Sequence, residues 1–142
     1  MSKEFKVKDR TMRIDIYTDG SASPNDGTGV GGWAAILIAG DHRKEIYGRL
    51  LVATNNIAEL TAAIEGLKSL KGNHHHVVIH TDSQYVMLAI QGIKHPTANF
   101  ELLREFHSLK QRHIVEGSWI RGHTGQIENE RCDQLARSQY MK

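Results

Sequence analysis

Four acids in this chain stand where a carboxylate does not ordinarily serve a fold: Asp19, Glu59, Asp82 and Asp133. Apolar and polar residues alternate from Met12 through Ile16, as in a strand with one buried face, and Asp19 follows where Gly20-Ser21 should break the run. A carboxylate at the edge of a core needs a cation, a metal or several donors. Asp82 repeats the arrangement. The largely β-branched run Val77-Val78-Ile79-His80-Thr81 has the character of a doubly covered central strand, and it too ends in Thr-Asp before Ser83-Gln84 opens a helix. If the two strands are neighbours, the two carboxylates meet. Four such groups within a few ångströms would repel at roughly 4 kcal/mol per pair at 4 Å for an effective dielectric near 20. Divalent cations remove that penalty. Oxygen-only ligands suit Mg²⁺, with Mn²⁺ as a possible substitute, and two such ions roughly 4 Å apart activate a water and stabilise a leaving oxygen at phosphorus. No nucleophilic Ser or Cys arrangement competes with this chemistry.

The elements that must position these acids follow from local pattern. Ser21 to Gly32, dense in Gly, Ser, Asn and Asp, reads as a loop. Gly32 to Ile38 and Glu45 to Val52 read as two strands about a turn at Gly40-Asp41-His42, giving an antiparallel meander with the first strand. Thr54 or Asn55 caps a helix whose apolar residues Ile57, Leu60, Ile64, Leu67 and Leu70 recur at helical spacing, with Gly72-Asn73 as its end. On the adjacent stripe Glu59 shares its face with Ala62, Ala63 and Gly66. That face is small enough to lie close against another element, so Glu59 is expected to face inward. His74-His75-His76 reads as an exposed turn rather than a metal site, because adjacent side chains in an extended segment point to opposite sides. Gln91 to Asn99 is a loop, and Phe100 to Arg112 an amphipathic helix with Arg104, Lys110 and Arg112 on its polar side. A last strand spans Ile114 to Arg121. Gly122-His123-Thr124-Gly125 then carries one histidine on a glycine-hinged loop, a candidate for proton transfer. The closing helix begins near Gln126 and presents Asp133 on one side with Asn129 and Ala136.

With 142 residues and 39% hydrophobic content, the chain is expected to form one α/β domain over residues 12–142 behind a polar lead-in over 1–11. A net charge of +2 excludes a strongly basic nucleic-acid coat but does not oppose a polyanionic partner. The single cysteine, Cys132, rules out an internal disulfide and is expected to face the core; a cytoplasmic location is expected, with no membrane span and no secretion signal.

Five stretches resemble the successive motifs of type 1 ribonuclease H. They are Tyr17-Thr18-Asp19-Gly20-Ser21, Thr54-Asn55-Asn56-Ile57-Ala58-Glu59-Leu60, Thr81-Asp82-Ser83-Gln84-Tyr85-Val86, Gly122-His123-Thr124-Gly125 and Glu128 through Ala136, in the family's order and over nearly the whole chain. The resemblance implies an RNase H-like fold, a mixed five-stranded sheet flanked by α-helices. It implies endonucleolytic hydrolysis of the RNA strand of RNA/DNA hybrids to 5′-phosphate and 3′-hydroxyl ends, with Asp19, Glu59, Asp82 and Asp133 as the metal-binding carboxylates. His123 matches the family's mobile-loop histidine. Asn25, Asn55 and Gln84 match positions approaching the RNA strand in the minor groove, where the 2′-hydroxyl marks RNA, and Thr54 matches a position near a DNA-strand phosphate. Local roles stand beside these: Asn25 shapes its turn, and Thr54 or Asn55 caps a helix.

The chain departs from well-known bacterial members in lacking their long basic, tryptophan-containing protrusion. Only Gln91 to Asn99 separates the two helices there, which puts hybrid affinity in question. Arg104, Lys110, Arg112 or the lysines before Arg13 are the candidates to compensate, through contacts that weaken as salt rises. A proofreading-type exonuclease would carry paired acids two apart on the first strand, whereas Asp19 is followed by Ser21. A strand transferase would bring further DNA-binding segments. A hybrid-binding module with a dead site would lack one of the four acids, and none is missing. A monomer with no obligate protein partner is the expectation.

Overall fold

The computed structural model describes residues 11–92, 98–121 and 125–141. Nine elements follow one another: β1 (Arg13–Ser23), β2 (Gly29–Ala39), β3 (His42–Ala53), α1 (Asn55–Lys68), β4 (His76–Thr81), α2 (Gln84–Ile90), α3 (Phe100–Lys110), β5 (Ile114–Trp119) and α4 (Ile127–Ser138). The strands form one mixed sheet in the order β3-β2-β1-β4-β5. β1, β2 and β3 pair antiparallel as the meander requires, while β4 lies parallel to β1 and β5 parallel to β4.

Alternation along the strands divides the molecule into two cores. Ile14 and Ile16 of β1, Ala35 and Leu37 of β2, and Val77 and Ile79 of β4 face α1, α2 and α3, where Leu60, Ile64, Leu67, Val86, Leu103 and Phe106 cover them. On the other face Ala34 and Ile36 pack against Cys132, Leu135 and Ala136 of α4. Cys132 is fully buried, as expected for a small core-facing residue. Two glycines let the helices approach this closely. A Cβ on Gly20 would stand 2.4 Å from the carbonyl carbon of Ala58 in α1, and one on Gly32 would stand 2.0 Å from the carbonyl oxygen of Ala136 in α4. Gly66, on the small stripe of α1, lies over Ile16 and Ala35.

Several boundaries depart from the sequence expectation. Gly20-Ser21 does not end β1: the antiparallel ladder runs on through Gly20↔Trp33 and Ser21↔Gly32 to Ser23↔Val30, and β2 accordingly begins at Gly29. A partner strand on one side supplies the hydrogen bonds that hold the two turn-prone residues extended. The first helix stops at Lys68, with Ser69 as C-cap, before Gly72-Asn73; Leu70 is still buried beyond its end. α3 ends at Lys110, whose ammonium turns inward to the Ile90 carbonyl, so Lys110 is not part of a free basic face.

The histidine run is not an exposed turn. His74 is exposed with φ of 65°, but His75 is 1% exposed. Its ring stacks on His113 at 5.3 Å, its Nδ1 accepts from the Met12 amide, and its Nε2 donates to the Lys71 carbonyl at 2.7 Å. A histidine with both ring nitrogens satisfied can be buried where an unpaired one cannot. Among the described residues no helix is long and apolar enough to cross a membrane.

Candidate active site

The sheet order brings the first two acids together. β1 and β4 run parallel and in register up to Tyr17↔His80, and Asp19 and Asp82 each lie two residues further along their chains, on the same face. β4 stops at Thr81 because Ser83 turns the chain into α2, its hydroxyl accepting from the Val86 amide at 3.1 Å. β1 continues beside β2 alone, so the parallel ladder ends at the point where the carboxylates are presented. Glu59 arrives from α1, one turn past its Thr54 N-cap, whose hydroxyl accepts from the Ile57 amide at 3.1 Å. The close contact of Gly20 with the backbone at Ala58 and Glu59 sets that helix against β1.

Ligating oxygens of Asp19, Glu59 and Asp82 all lie within 4.8 Å of one another. Asp133, on α4, belongs to the rim of the same site: Asp19, Asp82, Asn129, Glu130, Asp133 and Arg137 line an open cavity of about 180 Å³. Burial, reinforced by the negative charge of Asp82, pushes the Asp19 carboxyl up to about 8, although the Gly20 amide donating to its Oδ1 at 2.8 Å opposes the shift. Burial likewise raises the Glu59 carboxyl well above the carboxylate range, with Asp19 and Asp82 adding to it. The residue is only partly exposed, and its Oε1 is sealed from solvent with no hydrogen-bond partner among the described residues. Asn129, 4% exposed on the cavity wall, leaves its Oδ1 in the same condition.

A fold does not keep such groups for stability, since an unpaired buried acceptor costs about 1–3 kcal/mol. Among the described residues the donor set is hard oxygen throughout, with no thiol or imidazole in the cluster. That combination fits a hard divalent cation, which Asp19, Glu59 and Asp82 are placed to hold.

Four of the five remaining sequence candidates cluster around the α1 N-terminus and the adjoining groove. The Asn25 side-chain carbonyl accepts from the Asn55 amide at 2.7 Å, and that of Asn55 accepts from the Ala22 amide at 2.8 Å. Both side chains therefore tie the β1–β2 connection to the start of α1, while Thr54 is its cap. Asn55 and Gln84 also line a groove of about 370 Å³ with Asn56, Glu59, Ser83, Tyr85 and Leu88. Glu59 joins this groove to the carboxylate cavity. His123 lies outside the described residues. Arg137 was not singled out by the sequence reading, although its spacing of four from Asp133 on one helix is a legible signal.

The RNase H family model matches residues 11–141. The chain is 45% identical over 137 residues to "Ribonuclease H" of Aeromonas salmonicida, covering 87% of each. It is 42% identical over 136 residues to "Ribonuclease HI" of Neisseria meningitidis, covering 87% of this chain and 92% of the relative. Among solved structures it resembles LC9-RNase H1, described as a type 1 RNase H with the type 2 active-site motif, at a TM-score of 0.78 and 27% identity over 92% of this chain and 73% of that one. With the strand order, the convergent carboxylates and relatives matched over nearly their full length in agreement, the chain belongs to the RNase H family.

Proposed function

We propose that the protein is an endoribonuclease that hydrolyses the RNA strand of RNA/DNA hybrids with two divalent ions, Mg²⁺ by preference and Mn²⁺ as a substitute, leaving 5′-phosphate and 3′-hydroxyl ends. The observation that carries this reading is the convergence of Asp19, Glu59 and Asp82 beside a cavity edged by Asp133, opening onto a groove that holds Asn55 and Gln84. Ions bound there supply the positive charge that makes a water nucleophilic and stabilises the departing oxygen.

The chain's own groups do the rest. Asp19, Glu59, Asp82 and Asp133 hold and orient the ions, whose charges relieve the repulsion among the ionised carboxylates. Asn55 and Gln84, on the groove wall, present amides to the minor groove, where the 2′-hydroxyl distinguishes RNA from DNA. Asn25 orders Asn55 through its backbone amide, and Thr54 at the same helix start meets a phosphate of the DNA strand. His123 takes part in proton transfer or product departure. The buried free thiol of Cys132 supports a reducing, cytoplasmic setting, and we take the enzyme to act as a monomer.

The test is cleavage of an end-labelled RNA/DNA hybrid with Mg²⁺ or Mn²⁺ by wild type and Asp19→Asn, with duplex DNA and duplex RNA as controls. Internal cuts confined to the RNA of the hybrid, ending in 5′-phosphates and absent from the variant, are expected. Binding of hybrid by folded wild type without cleavage under either ion would instead mark a binding module.

A further inference from the structure

Arg137 is, among the described residues lining the carboxylate cavity, the one cation. It sits one turn beyond Asp133 on α4, and its Nε donates to Asp133 Oδ1 at 3.2 Å. Neither of its Nη groups takes a hydrogen-bond partner among the described residues, and the side chain is 51% exposed. The field of Asp19 as well as that of Asp133 favours its charge. Pinned at Nε, the guanidinium is held at the cavity wall with the paired end of its fork still available. That end is built for a tetrahedral oxyanion: parallel N–H donors match two phosphate oxygens, which an ammonium cannot do.

We propose that Arg137 holds a phosphate of the RNA strand at the hydrolytic site, through its two Nη groups, while Nε keeps it tethered to Asp133. The inference rests on the hydrolytic reading above and adds a substrate-positioning residue to it. Helix stability alone does not explain the arrangement, since a half-exposed pair spaced four apart contributes little. Neither does orientation of Asp133 alone, which requires one donor and would be served as well by a lysine. An arginine in a cavity of acids is repelled by nothing there and competes with bound cations for Asp133. Its presence becomes useful when the anion arrives, because the substrate carries the negative charge that the loaded carboxylates no longer present.

The two roles predict opposite signs, so they can be separated. Arg137→Gln and Arg137→Lys are made in an Asp19→Asn background that silences cleavage, and hybrid binding is followed by fluorescence anisotropy with Mg²⁺ across a KCl series. Mg²⁺ titration of the proteins with Asp19 intact, without nucleic acid, is measured by calorimetry. Arg131→Gln is the control, because Arg131 is an α4 arginine engaged with Glu45 of β3. Loss of a phosphate-holding arginine predicts about tenfold weaker hybrid binding for Arg137→Gln, the worth of one charge-assisted hydrogen bond. The log–log salt slope should shrink by about one, and Mg²⁺ affinity should be unchanged or tighter. Arg137→Lys should keep the slope and lose part of the affinity, and Arg131→Gln should change neither. Weaker Mg²⁺ binding by Arg137→Gln with unaltered hybrid affinity and slope would overturn the proposal and leave Arg137 a support for Asp133. Failure of the folded wild type itself to cleave the hybrid under either Mg²⁺ or Mn²⁺ would refute the hydrolytic reading and the inference with it.

Discussion

Replacing Asp19 with asparagine should make the metal-free protein more stable while abolishing its chemistry. The side chain is 7% exposed, and its folded carboxyl titrates at about 8 against an ordinary 3.8. Between these values the folded state holds a proton that the unfolded chain releases, so stability falls as pH rises across the window and levels off above it. At pH 7 the interval above 3.8, at about 1.36 kcal/mol per unit, sets a ceiling of roughly 4 kcal/mol. Burial accounts for the larger part of that cost and the charge of Asp82 adds to it; halved for relaxation of the site, the gain is on the order of 2 kcal/mol, or roughly 6 to 8 °C in Tm for a chain of this size. Asparagine retains the oxygen that accepts from the Gly20 amide at 2.8 Å, so no buried donor is orphaned. The assay is urea unfolding of wild type and Asp19→Asn in EDTA, from about pH 4 to pH 8.5, repeated with excess Mg²⁺. The variant's advantage should be near zero at about pH 4, grow to about pH 8, and shrink when Mg²⁺ stabilises wild type by binding its folded state. An advantage independent of pH, or a variant no more stable than wild type at pH 8 in EDTA, would refute the account of a carboxylate held against its own burial and the charge of Asp82.

Other perturbations read other parts of the molecule. Burial and the neighbouring His75 push the His113 imidazole down to about 4. The folded state therefore resists a proton that the unfolded chain accepts, and stability should be lost as pH falls from 6.5 towards 4; His113→Gln should flatten that limb of a pH–urea series while leaving the Asp19 limb intact. Gly32→Ala should destabilise by about 3 kcal/mol, since its Cβ would stand 2.0 Å from the Ala136 carbonyl oxygen and α4 would have to lift, a loss that denaturant unfolding measures directly. Asn55→Ala should weaken hybrid cleavage and lower stability modestly, because it breaks the exposed tie from Asn55 to the Ala22 amide, whereas Gln84→Ala, exposed on the groove wall, should raise KM for hybrid with little change in Tm. The Cys132 thiol, fully buried and pushed above the usual thiol range by that burial, should react with a thiol reagent in urea and resist it in the native protein.

What the sequence determines by itself is what depends on neighbours within a few residues. The alternation before Asp19, the β-branched run before Asp82 and the small stripe around Glu59 are local periodicities, and each correctly gave an element type and a buried face. The caps Thr54 and Ser83 are local too, a hydroxyl meeting the amide three residues on. The tertiary structure decides whatever depends on a partner far along the chain. Whether Gly20-Ser21 turns or extends depends on a ladder to β2, and whether His75 is exposed depends on a ring nearly forty residues away at His113. Above all, the meeting of Asp19 with Asp82 rests on β1 and β4 being adjacent and parallel, although β2, β3 and α1 intervene in sequence, the two strands extending the sheet from the other edge of β1 and the helix covering one face. Periodicity assigns each acid to an element and a face. Only the packing of those faces, through Gly20 on α1 and Gly32 on α4, sets the few ångströms that turn separate carboxylates into one electrostatic site and bring Arg137 to its edge.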